Sequence, residues 1–97
     1  MLTHIVCWKY KSEITRKIRE EHLAKLKNLP KVIPNINSFE IGFDILHLER
    51  SFDLGLVALF PDREALDFYT VHPAHQEVAK MGKEIAKKVV SVDFLSE

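Results

Sequence analysis

The residues whose types and spacing could do chemistry are concentrated in "DFYTVHPAH", residues 67–75, which places Tyr69, His72 and His75 at intervals of three with Pro73 between the histidines. A neutral imidazole titrates near the working pH and suits a general base. A phenol O–H suits a donor to a developing oxyanion. Together they fit proton abstraction next to a carbonyl, the first step of an aldol condensation or an isomerisation. Tyr69 and His75 are six residues apart, which in an unbroken helix puts them on different faces. Pro73 breaks the helix, so the pair can meet only if the chain turns there.

A structural reading stands beside the chemical one. A histidine at a helix boundary bonds free backbone groups, and a tyrosine can fill a core with its hydroxyl at the rim. His72, directly before Pro73, is placed to cap the helix that follows, and it is also a candidate to line a ligand site. For Tyr69 and His75 both readings remain open. His4 falls by alternation on the inward side of an apolar strand and is a further candidate ligand-binding residue. His22, on a helix stripe, and His47, at a turn, read as structural or exposed. His72 and His75 are compatible with shared metal ligation, but zinc needs three or four ligands. No HExxH, CxxC or dense Asp/His cluster supplies the others, so no metal and no cofactor is expected.

The elements that must position these residues follow from periodicity. "HIVCWKY" (4–10) is β-branched and aromatic-rich and reads as a strand. "SEITRKIREEHLAKLKNL" (12–29) carries Ile14, Ile18, His22, Leu26 and Leu29 on one stripe and predicts an amphipathic helix with Ser12 as N-cap, closed by Pro30 and Pro34. "SFEIGFDIL" (38–46) alternates Phe39, Ile41, Phe43 and Ile45 against Glu40, Gly42 and Asp44, a second strand. "FDLGLVALF" (52–60) is a third and nearly all apolar. Pro61 and Asp62 open a helix interrupted at His72–Pro73. "PAHQEVAKMGKEIAKK" (73–88) continues it with proline at its first position, and "VVSVDF" (89–94) is the fourth strand.

The order β-α-β-β-α-β is the ferredoxin-like split unit, an α+β fold with a four-stranded antiparallel sheet and helices on one face. The uncovered face is then a problem. Leu54, Leu56, Ala58 and Phe60 occupy one side of the third strand and Gly55, Val57 and Leu59 the other. The first strand sets His4, Val6, Trp8 and Tyr10 opposite Ile5 and Cys7. Leaving four or five large apolar side chains wet forfeits roughly 1.5–3 kcal/mol each, against a net stability of ~5–15 kcal/mol for a whole domain. No spare element covers that face. A homodimer with its two sheets packed face to face is expected, forming a dimeric α/β barrel.

The chain's 97 residues amount to one domain, 1–97, with no repeat or linker. Fourteen Lys+Arg balance 14 Asp+Glu, and a net charge of zero lacks the electrostatic footprint of nucleic-acid binding. No apolar run approaches the ~20 residues of a membrane span, and "MLTHIVCWKY" does not read as a signal peptide. The one cysteine, Cys7, forms no internal disulfide and fits a cytoplasmic location.

"MLTHIVCWKYKSEIT", the apolar-faced helix behind it and above all "YTVHPAH" (69–75) make the whole chain resemble the stress-responsive α/β-barrel domain family (Dabb), of the dimeric α+β barrel superfamily. The resemblance implies that fold and a homodimer. Many members have no assigned activity; one similar in sequence is a polyketide cyclase that closes its substrate by intramolecular aldol condensation without a cofactor. Its catalytic tyrosine and histidine fall on Tyr69 and His75, a histidine of its first strand falls on His4, and Leu26 stands where it has a tyrosine. The resemblance thus implies either a protein of undetermined activity holding a small hydrophobic molecule, or a cofactor-independent cyclase, lyase or isomerase with His75 as base and Tyr69 as acid.

Overall fold

Eight elements in a computed structural model describing residues 1–96 build the fold: β1 (Leu2–Tyr10), α1 (Arg16–Lys27), α2 (Leu29–Val32), β2 (Ser38–Phe43), β3 (Leu54–Phe60), α3 (Arg63–Val71), α4 (Pro73–Ile85) and β4 (Ala86–Leu95). The last residue of the span 1–97, Glu97, lies outside the described residues. The strands form one antiparallel sheet in the order β2-β3-β1-β4, the expected ferredoxin-like arrangement. Register puts Leu2, His4, Val6 and Trp8 on the same face as Leu54, Leu56, Ala58 and Phe60, and this is the face the helices cover. The core there includes Leu26 and Leu29 from the first helical layer and Leu66, Tyr69, Val78 and Ile85 from the second.

The opposite face, carrying Ile5, Cys7, Val57, Leu59, Val90 and Val92 by the same register, has no element of this chain upon it. Val57, Val90 and Val92 are 39–52% exposed. Two-sided apolar character, read from the strand sequences, is thus realised as one buried face and one bare one.

Several boundaries differ from expectation, each for a local reason. Helix α1 starts at Arg16 with Thr15 as N-cap, its Oγ1 accepting the Ile18 N–H at 3.3 Å. Ser12 is excluded because Ile14 N–H turns back to the Lys11 carbonyl. Pro30 does not end a helix but sits in the first turn of the short α2, where its missing N–H is harmless. Strand β2 stops at Phe43, paired with the first residue of β3, Leu54. Asp44 Oδ2 then accepts the His47 N–H in a turn, and Ile45, read as part of the strand, lies beyond it and is 84% exposed.

The C-terminal boundary moved furthest. Residues 86–88, read as helix, belong to β4, because Tyr10 pairs with Ala86 and Lys9 with Lys88. Pairing along the full length of β1 overrides the helix propensity of Ala-Lys-Lys.

Gly82 on α4 is a point of close approach. A Cβ there would lie 3.1 Å from Trp8 Nε1 and 3.2 Å from His22 Nε2, and both rings are buried. Gly82→Ala is therefore expected to cost about 1–3 kcal/mol by overpacking, read as a lowered urea midpoint with an unchanged slope.

Candidate active site

The break at Pro73 builds the site. Proline at 73 disfavours helical geometry at His72, which takes φ −61°, ψ 133°, ending α3 and capping α4. In an unbroken helix the Ala74 N–H would bond the Thr70 carbonyl. Here Ala74 N–H donates instead to His72 Nδ1, at 3.1 Å, and the freed Thr70 carbonyl accepts from His75 Nδ1–H, also at 3.1 Å. That second bond fixes the His75 tautomer and leaves Nε2 as the acceptor nitrogen. It also orients the ring against Tyr69, with centroids 4.4 Å apart and planes tilted by 42°.

His4 arrives from β1 on the helix-covered side. Its ring meets Tyr69 edge-on at 6.0 Å and Phe60 at 6.2 Å. Its Nδ1–H donates to the Asp93 carboxylate, directly opposite on β4. Burial depresses the His75 pKa below the usual imidazole value, outweighing the bond to the Thr70 carbonyl, which raises it, and the neighbouring His4 lowers it further, so His75 is a neutral acceptor near pH 7. Burial raises the Tyr69 phenol pKa well above its usual value, so it remains a protonated donor. Tyr69 is 2% exposed, and its hydroxyl makes no hydrogen bond with any other described residue.

Tyr69, His75 and His4 line one cavity of about 210 Å³ between the sheet and α4, with Val6, Trp8, Leu26 and Val78 among its walls. It is mostly apolar, with a few convergent polar groups, as small-molecule sites are. A larger, wide-open groove of about 620 Å³ lies beyond Asp93, beside the Arg63–Asp67 ion pair. None of the three residues lines it.

Of the four residues singled out from sequence, three converge and one does not. His72 stays outside the cavity: its Nδ1 is used on the Ala74 N–H and its ring lies 5.9 Å from that of Phe68. Its place is that of the helix joint, the structural one of its two readings. Leu26, which stands where the similar cyclase has a tyrosine, forms part of the cavity wall. Asp93 was missed, and nothing local marks it, since it meets His4 across 89 residues of chain. His22 is fully buried, its Nδ1 2.7 Å from the Tyr10 hydroxyl and its ring edge-on to Trp8. No set of three or more His, Cys, Asp or Glu side chains is placed to hold a metal ion among the described residues.

A four-stranded antiparallel sheet covered by helices on one face defines a ferredoxin-like α+β protein. The family described as the Stress responsive A/B Barrel Domain matches residues 2–96, and the chain belongs to it. Olivetolic acid cyclase of Cannabis sativa is 26% identical over 93 residues, covering 94% of this chain and 92% of the cyclase. A dimeric ferredoxin-like protein of unknown function from Thermobifida fusca superposes with a TM-score of 0.89 at 22% identity, covering 98% of this chain and 90% of that one. Hydroxynitrile lyase from Passiflora edulis gives a TM-score of 0.89 at 21% identity, over 99% of this chain and 93% of the lyase.

Proposed function

We propose that the cavity binds a small, largely apolar carbonyl compound and that His75 and Tyr69 move a proton beside that carbonyl, the chemistry of a cofactor-independent cyclase, lyase or isomerase. The observation that carries this reading is the pairing of the two rings at 4.4 Å, with His75 Nδ1 committed to the Thr70 carbonyl. Nε2 takes the proton from the carbon next to the carbonyl. The Tyr69 O–H donates to the oxygen as negative charge develops on it. Asp93 holds His4 in one tautomer, so that its other nitrogen is available to the same ligand. The relatives named as a cyclase and a lyase support this class of reaction.

A binding protein without turnover is the second reading, favoured by the apolar walls and by Leu26, which adds no polar group to the cavity. One experiment separates the two. In deuterated buffer, the wild type is expected to speed α-proton exchange of benzylacetone, followed by NMR. His75→Ala should lower that rate by about 10²–10⁴ and Tyr69→Phe by about 10²–10³, with the ketone still bound. Saturable binding with no exchange above buffer would leave the binding protein and remove the enzyme.

We also propose that the bare sheet face is closed by a second copy of the chain, the two sheets forming a barrel-like core about a two-fold axis. The exposed valines on that face support this, as does the dimeric state of the Thermobifida relative. No helix is long and apolar enough to cross a membrane among the described residues, and the unpaired Cys7 suits the reducing environment of the cytoplasm.

A further inference from the structure

The cavity has a second end. His75, Val78, Ala79 and Lys83 all line it, a stripe at steps of three, one and four that is a single face of α4. From His75 to Lys83 the helix rises about 12 Å. Beneath it β1 runs the same way, from His4 to Trp8, about 13 Å of strand. The space is therefore elongated. It has the His4–Tyr69–His75 group at one end, Trp8 and Lys83 at the other, and aliphatic wall between.

The two ends differ in charge. Lys83 is exposed while also lining the cavity, so its stem forms wall and its ammonium reaches the mouth. It takes part in no ion pair among the described residues. No carboxylate lines the cavity; Asp93, the nearest one to the histidine end, is engaged by His4. A cavity edged by a lysine and by histidines, with no acidic group, favours an anion and disfavours a cation. The volume of about 210 Å³ equals roughly seven waters at about 30 Å³ each, which limits the occupant to a slender chain or a single ring.

We propose that Lys83 recognises the anionic end of the ligand, so that the compound taken by this cavity is a keto acid with its carbonyl between Tyr69 and His75 and its carboxylate at Lys83. The ends are too far apart for an α-keto acid to span them. The carboxylate is separated from the reacting carbonyl by an apolar spacer that lies along Val78 and Ala79. Such recognition presupposes that the cavity is the ligand site, as proposed above.

The test compares levulinate and its longer homologues, each with a terminal acetyl group and a carboxylate, against their methyl esters. Binding is read by calorimetry and by the shift of the His75 ring signals. The wild type is expected to bind the longer acids about two-fold to five-fold more tightly than their esters, the size of one exposed ion pair. The preference should shrink in high salt. Lys83→Met should remove the preference while leaving ester affinity unchanged, and Lys83→Glu should reverse it. Equal binding of acids and esters by the wild type, with His75 still perturbed, would overturn the role of Lys83 and leave the cavity reading intact. A preference that survives in Lys83→Met would also overturn it. If neither acids nor esters perturb His75, the cavity reading itself fails, and Lys83 recognition falls with it.

Discussion

Val92→Asp is expected to convert a dimer into an unstable monomer. Val92 lies on the bare sheet face and is 52% exposed in the single chain. In a two-fold pairing of sheets the substitution buries one carboxylate per protomer, each with a desolvation cost of several kcal/mol. A loss of about 3 kcal/mol lowers the melting temperature of a chain this size by roughly 12–24 °C. Sedimentation at micromolar concentration should show the wild type as a dimer and the variant as a monomer. Val71→Asp is the control, because Val71 is 63% exposed on α3, away from that face; it should change neither quantity. A wild type that sediments as a stable single chain would refute the pairing. So would a Val92→Asp variant with wild-type mass and melting temperature.

The second large effect is acid lability centred on His22. This ring is fully buried, accepts from the Tyr10 hydroxyl and has no partner for Nε2. Burial lowers its pKa to about 4, against 6.5 when unfolded. The unfolded chain therefore binds a proton that the native chain refuses, and stability falls as acid is added. The contribution is fully present above pH 6.5, declines as the pH drops from there to about 4, and levels off below. The full span is about 3 kcal/mol, at 1.36 kcal/mol per pH unit. His75, depressed by its own burial, adds to the loss in the same direction. Urea unfolding between pH 7 and 5, above the range where carboxylates titrate, should show the slope. Tyr10→Phe combined with His22→Leu removes the proton site without orphaning the phenol, and should make the slope shallower, leaving the part that His75 contributes. An unchanged slope in that double variant would assign the lability elsewhere.

Much of the architecture was legible because it is written in local pattern. Alternation in 4–10 and 52–60 and the four-residue stripe of 12–29 each reported a face, and the faces implied the sheet and its bare side. The meeting of Tyr69 and His75 was legible for a similar reason: Pro73 lies between them, and a proline acts on its immediate neighbours. Asp93 was not, because its partner is chosen by the β1–β4 register, a property of two strands at opposite ends of the chain. The Tyr10 bond to His22 escaped in the same way. Periodicity showed where His22 points but not what it touches. The helical reading of residues 86–88 failed because their conformation is imposed by β1 rather than by their own side chains.

The junction between α4 and β4 has no connecting loop: Ala86 is at once the cap of the helix and the first residue of the strand. The chain there has no slack. Sliding β4 along its neighbour would drag the whole overlying rod with it, carrying His75 and Lys83 out of line with His4 and Trp8. The hydrogen-bond ladder of the sheet thus acts as the gauge that holds His75 and Lys83 over His4 and Trp8.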